Sequence, residues 1–265
     1  MPKSDLKGNW ALILGASSGF GAATALALAR RGMNIFGVHL DRKATMPLVN
    51  ELVAKLEATG VKVHFFNMNA ADEGNRGEVL DSVGELMGEG EKVRVLLHSL
   101  AFGTLRPFIG ETGEGLNRPQ MEMTLDAMAH TLVYWVQDVV ARGYFAKNSR
   151  IYAMTSSGSK RVWKTYGAVS AAKAALESHI RQLALELAPL GITANAVMAG
   201  VTDTPALRKI PGNEAMIDIA LARNPAGRLT VPEDVAEAIV CLSEPGTYWM
   251  TGSILRVDGG EDISG

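Results

Sequence analysis

Short apolar runs rich in β-branched residues recur along the chain, and longer segments with helical periodicity separate them. The runs are Trp10 to Leu14, Asn34 to His39, Val61 to Asn67, Val93 to His98, Arg150 to Thr155, Ile192 to Val197 and Ser253 to Val257. The helical patterns cover Gly21 to Arg31, Pro47 to Thr59, Asn75 to Met87, Gln120 to Arg142, Tyr166 to Ala188 and Pro232 to Leu242. Strand and helix in alternation predict a parallel sheet. The strands read as continuous apolar runs, as expected where helices cover both faces, so the fold class is α/β, a doubly wound sheet in three layers. No linker, charge block or low-complexity tract divides the chain, and residues 1–265 are read as a single domain.

Two segments break the rhythm, Phe102 to Pro119, with Gly103, Gly110, Gly113 and Gly115, and Thr202 to Asn224. Both follow the carboxyl end of a strand, where open α/β sheets bind ligands, and are candidate walls of a substrate pocket. Composition narrows the partners. With 26 Lys+Arg against 28 Asp+Glu the net charge is −2, which excludes a basic nucleic-acid footprint, and 47% apolar residues supply a core. The most apolar stretch, Leu132 to Val140, is interrupted by Gln137 and Asp138 and is too short to span a bilayer. No signal pattern precedes Trp10, so a cytoplasmic protein is expected. The one cysteine, Cys241, lies in an apolar helical pattern and is expected in the core. His64, His130 and His179 have no metal-ligand spacing, and no metal is predicted.

The strongest local motif is Gly15-Ala-Ser17-Ser18-Gly19-Phe20-Gly21, between the first strand and an Ala/Leu-rich helix. Glycines there permit a tight turn and the close approach of a pyrophosphate, which the helix N-terminus attracts, so the site predicts a dinucleotide. The second strand ends His39-Leu-Asp41-Arg42-Lys43. His39 stands where a ribose-binding carboxylate is usual. Arg42 and Lys43, with the hydroxyls of Ser17 and Ser18, suit a 2′-phosphate. NADP(H) is favoured, and NAD(H) stays open because Asp41 can turn toward the ribose.

The Gly15 loop, Thr155-Ser156, Tyr166 with Lys173, and Arg256-Val-Asp-Gly-Gly260 together resemble the short-chain dehydrogenase/reductase superfamily over almost the full chain. Six residues separate Tyr166 from Lys173, where most of the superfamily has three, and Val169 occupies the usual tyrosine position. That spacing, His98-Ser99-Leu100-Ala-Phe102, and Ala199-Gly200 in place of Pro-Gly resemble the enoyl-acyl-carrier-protein reductases. A separation of 173 − 166 = 7 residues turns about 700°, so both side chains share one helix face about 10.5 Å apart. The tyrosine is then expected to bond the substrate carbonyl, while the ammonium binds ribose hydroxyls and lowers the phenol's pKa. Ser156 stands at the superfamily's active-site serine position and is a candidate hydroxyl donor, with Ser157 beside it. Met128 occupies the position of the relay asparagine of carbonyl reductases, unless a slip of two residues puts Asp126 there.

The resemblance further implies a Rossmann-type, seven-stranded sheet, with Asn69 and Ala70 near the adenine, Ser99 and Leu100 near the adenosine ribose, and Thr202 and Thr204 near the nicotinamide carboxamide and phosphates. The implied activity is NAD(P)H-dependent reduction of the C=C bond of an enoyl thioester. The alternatives are reduction of a ketone or oxidation of an alcohol, and a dinucleotide-binding protein without turnover. Acyl carrier protein is an implied partner. A homotetramer is implied too, consistent with the succession Val133, Tyr134, Trp135, Val136 on a long helix.

Overall fold

The computed structural model describes residues 6–111 and 113–264. Strands β1 (Trp10–Leu14), β2 (Asn34–His39), β3 (Val63–Asn67), β4 (Val93–His98), β5 (Phe145–Ser156), β6 (Thr193–Ala199) and β7 (Ile254–Val257) form one sheet in the order β3-β2-β1-β4-β5-β6-β7. Every neighbouring pair is parallel. The helices are α1 (Gly19–Arg30), α2 (Met46–Glu57), α3 (Glu73–Leu86), α4 (Arg118–Leu125), α5 (Thr131–Ala141), α6 (Gly167–Leu187), α7 (Asn213–Arg223) and α8 (Pro232–Ser243). This is the expected Rossmann-type, three-layer arrangement.

Alternate residues of the buried strands feed two separate cores, because successive strand side chains point to opposite faces. Trp10, Leu12, Leu14 and Phe36 pack with Val79 and Leu80 of α3, Leu132 and Trp135 of α5, and Leu176 and Ile180 of α6. Ala11, Ile13, Ile35 and Val95 pack with Leu28 of α1, Leu52 and Leu56 of α2, and Val235 and Ile239 of α8. The order reverses between β1 and β4, so the glycine loop after β1 and the segment after β4 diverge around a crevice at the carboxyl end of the sheet.

Four expectations change. The pattern Gln120 to Arg142 is not one regular helix: Asp126–His130 forms a π turn between α4 and α5. The segment Thr202 to Asn224 contains α7 and a short 3-10 turn, Leu207–Lys209. Cys241 is exposed, because Val235, Ala236, Ile239 and Val240 define the inner face of α8 and position 241 lies off it. Of the apolar succession in α5, Trp135 and Val136 are buried within this chain, and the half-exposed Tyr134 ring lies under the Arg76 guanidinium, 5.6 Å from its centroid. Among the described residues, no helix is long and apolar enough to cross a membrane.

Candidate active site

The glycine loop is shaped by backbone packing. Gly15 and Gly19 have φ of +87° and +52°, the left-handed region that glycine tolerates. A Cβ on Gly15 would lie 2.5 Å from the Ser99 carbonyl oxygen, and one on Gly21 would lie 2.0 Å from the Gly15 carbonyl oxygen. The loop therefore sits directly against the end of β4, and Ser99 N–H donates to Leu14 O at 2.8 Å. Ser18 occupies the N-cap of α1 without a side-chain cap bond, which leaves the first N–H groups of the helix for another acceptor. Thr204 closes the loop from the far side, since a Cβ on Gly19 would meet its methyl at 3.5 Å. This donor set suits a pyrophosphate.

Around the predicted adenosine end, His39 is buried and its Nδ1 lies 3.0 Å from Asp41 Oδ2. Burial raises the Asp41 carboxyl, but hydrogen bonds from Ser17, Thr45 and His39 outweigh it and leave the pKa lowered. Asp41 has thus turned toward Ser17, the serine expected to meet a phosphate, while Arg42 and Lys43 are exposed. Asn69 folds an Asx turn, accepting from Ala71 N–H at 3.1 Å, and buried Ala70 accepts from Trp135 Nε1 at 2.8 Å. Ser99 and Leu100 are half-buried at the end of β4. The Thr202 hydroxyl donates to Gly200 O at 3.0 Å, and the Thr204 hydroxyl accepts from Leu207 N–H at 3.2 Å.

Tyr166 is the N-cap of α6, one residue before its first turn, and it follows Thr165, a β-branched residue at φ +70°. Such a conformation stores strain and persists where packing imposes it. Ser156, at the end of β5, is half-buried beside Tyr166, and its buried hydroxyl has no hydrogen bond of normal geometry. Gly158 makes room for both: a Cβ there would lie 2.7 Å from Tyr166 Cε1 and 3.1 Å from Ser156 Oγ. Phe108, from the loop after β4, closes on the next residue, because a Cβ on Gly167 would lie 2.5 Å from its Cζ. Val169 is buried against Gly103, at the side where Met128 also packs.

The expected electrostatics do not hold. Burial pushes the Tyr166 phenol upward, opposed by the Ser156 hydroxyl, and Lys173 exerts no resolved pull on it. The reason is where the lysine goes: Lys173 is 6% exposed, and its Nζ donates to Met154 O at 2.7 Å in β5. Burial pushes its ammonium down to about 8, opposed by the Glu177 carboxylate one turn on. Glu177 is also buried and accepts from Thr155 Oγ1 at 2.8 Å. On the β4 side, burial and then the Lys173 charge press His98 down to about 3, so this ring is neutral. Neither of its nitrogens makes a hydrogen bond of normal geometry.

The structure thus brings Ser156 and Tyr166 together, sets Lys173 below them against β5, and gathers Gly15, Ser17, Ser18, Gly19, Phe20, Gly21, Ser99, Leu100 and Thr204 along the crevice. Sequence reasoning missed Glu177, Gly158 and Phe108. An acidic residue in an otherwise buried stripe of α6, four places after Lys173, was a usable signal for the first. Among the described residues, no group of three potential metal ligands occurs.

Comparison with known proteins agrees with this geometry. A family profile described as Enoyl-(Acyl carrier protein) reductase matches residues 15–261. The 1-cyclohexenylcarbonyl-CoA reductase of Streptomyces collinus is 31% identical over 256 residues, 95% of this chain and 86% of that protein. The L-xylulose reductase of Mesocricetus auratus is 31% identical over 257 residues, 96% and 97% of the two chains. The solved enoyl-[acyl-carrier-protein] reductase (NADH) of Aquifex aeolicus shares the fold, with TM-score 0.84 at 23% identity over 98% of both chains. The chain therefore belongs to the short-chain dehydrogenase/reductase superfamily of nicotinamide-dependent oxidoreductases, in the family described as Enoyl-(Acyl carrier protein) reductase.

Proposed function

We propose that this protein reduces the C=C bond of an α,β-unsaturated acyl thioester. The observation that carries the reading is the position of Tyr166 at the head of α6, beside the Ser156 hydroxyl and seven residues before Lys173, with Met128 and no asparagine in the π turn that packs on α6. A nicotinamide cofactor, held by the Gly15 loop, Thr202 and Thr204, supplies a hydride to the β-carbon when bound. Tyr166 then donates a hydrogen bond to the thioester oxygen as negative charge develops there. A phenol that stays neutral serves this role, because the oxygen needs a donor and the α-carbon takes its proton from solvent. The Phe108 ring lies against Gly167 at this end of the cleft, with its other side exposed. The name of the Streptomyces collinus relative, a reductase of a cyclohexenylcarbonyl thioester, is in keeping with such a substrate.

A second reading is favoured by one observation. The buried Ser156 hydroxyl beside Tyr166 forms a two-donor site that suits a ketone oxygen, and relatives include L-xylulose reductase and a 3-oxoacyl-[acyl-carrier-protein] reductase of Thermotoga maritima. Cofactor consumption at 340 nm with a trans-2-enoyl thioester and the matching 3-ketoacyl thioester separates the two. Turnover of the keto substrate alone overturns the enoyl reading. For the cofactor, Asp41 beside Ser17 supports NAD(H), in place of the NADP(H) that Arg42 and Lys43 suggest, because a carboxylate accepts from a ribose diol and repels a 2′-phosphate. Equal or lower KM for NADPH than for NADH would overturn that choice. A homotetramer and an acyl-carrier-protein partner belong to the same reading, and sedimentation of the free protein as a monomer would remove the first.

A further inference from the structure

Three buried polar residues, Thr155, Lys173 and Glu177, lie between β5 and α6. Thr155 Oγ1 donates to Glu177 Oε1 at 2.8 Å, and Lys173 Nζ donates to Met154 O at 2.7 Å. Met154 and Thr155 are consecutive in β5, and Lys173 and Glu177 are one turn apart on α6, so the two bonds stitch the same stretch of strand to the same face of helix. Thr155 is also the residue before Ser156, which places the serine hydroxyl at Tyr166. An ammonium has three donors, and Met154 O takes one of them. Lys173 and Glu177 are each 6% exposed, so neither charge is stabilised by water. A buried cation keeps its charge only beside an anion, and a buried carboxylate left alone is equally unfavourable.

We infer that Glu177 is a positioning residue of this site: through Thr155 it registers the end of β5 against α6, and with its charge it keeps Lys173 an ammonium. The proposal rests on Lys173 acting toward the bound cofactor, and it is independent of which double bond is reduced. Other groups around the lysine do not supply the anion. His98, facing it from β4, is neutral. Tyr166, at the head of α6, is held protonated by burial. β5 offers the uncharged Met154 carbonyl and the Thr155 hydroxyl, and the π turn offers the Ala127 backbone beside His98. Without Glu177, the burial that already presses the Lys173 ammonium down to about 8 acts unopposed, and the lysine discharges at lower pH.

The test measures the dissociation constants of NADH and NADPH by fluorescence from pH 6 to pH 10, with near-UV circular dichroism at each pH to confirm the fold. In the wild type, cofactor affinity falls as Lys173 loses its proton. Glu177→Gln keeps an oxygen for Thr155 but removes the charge, and its fall is expected to start about one pH unit lower. Glu177→Asp, which keeps the charge, retains the wild-type limb. Lys173→Arg, which stays charged, has no limb in either background. A folded Glu177→Gln whose limb does not move overturns the proposal, as does a Glu177→Asp limb shifted by a full unit, which decides the matter if Glu177→Gln does not fold. A limb that persists in Lys173→Arg overturns the role of Lys173 itself and, with it, the inference. Turnover of the enoyl and keto substrates by the same variants reports separately on the reaction.

Discussion

Gly158→Ala probes how finely the cleft holds Tyr166. The added Cβ would lie 2.7 Å from Tyr166 Cε1, 3.3 Å from Cδ1 and 3.1 Å from Ser156 Oγ. Ordinary carbon contacts begin near 3.4 Å, so the ring must withdraw by 3.4 − 2.7, about 0.7 Å. The backbone accepts alanine, because Gly158 is not among the residues with positive φ. A misplacement of about 1 Å at a reacting group costs roughly 100-fold, so 0.7 Å predicts a loss in kcat of roughly 10- to 50-fold. Overpacking of a half-buried ring adds about 1 kcal/mol of destabilisation, a melting shift of a few degrees. The assay is steady-state cofactor oxidation at 340 nm, with thermal unfolding as the control for folding. Combined with Tyr166→Phe the substitution should add little, since both act through the same hydroxyl. A kcat within twofold of wild type, in protein of unchanged stability, would refute the placement of Tyr166 in the reacting geometry.

Asp41→Asn removes the carboxylate beside Ser17 and is expected to improve NADPH relative to NADH by about 10-fold in kcat/KM, or about 1.4 kcal/mol of relieved repulsion. An unchanged ratio would place the adenosine phosphate elsewhere. Trp135→Phe strips the buried Ala70 carbonyl of its indole donor and should lower unfolding stability by about 1–3 kcal/mol in urea titrations, with activity retained. Stability equal to wild type would contradict the bond. His98 has its pKa pressed down to about 3, so as pH falls below about 6.5 the unfolded chain binds this proton first. Its stabilisation is complete above that pH and is lost toward pH 3, at about 1.4 kcal/mol per unit. His98→Leu should therefore flatten the fall in stability between pH 7 and pH 5, and a parallel fall in both proteins would exclude His98 as a source.

Much of this was legible in the sequence where the signal is local. Trp10–Leu14 and Asn34–His39 read as buried strands because both faces demand apolar side chains, and the turn after β1 advertises its constraint in glycines. The π turn at Asp126–His130 was not legible, since one extra residue per turn leaves the surrounding 3.6-residue periodicity intact. Helix α7 was missed because it buries little besides Ala220, so it carries no stripe. In α8, Cys241 counts as apolar to any pattern while its neighbours occupy the inner face. In the site, spacing alone put Tyr166 and Lys173 on one face. It could not reveal that Lys173 points at Met154 O, nor that a threonine, Thr165, adopts a left-handed conformation just before the tyrosine.

The reversal of strand order between β1 and β4 also bears on how the chain reaches this state. Residues 10–14 must find residues 93–98, so β1, β2 and β3 can form before their central partner has arrived. Parallel pairing at such separation carries the loop-closure entropy that slows folding. The cradle for the pyrophosphate is incomplete until the Ser99 carbonyl docks on Gly15, because that contact is made across the β1–β4 seam. A dinucleotide therefore binds well only after the two halves have joined, and its binding energy stabilises that joined state by mass action. Bound cofactor would then act as a folding ligand, holding the β1–β4 seam closed.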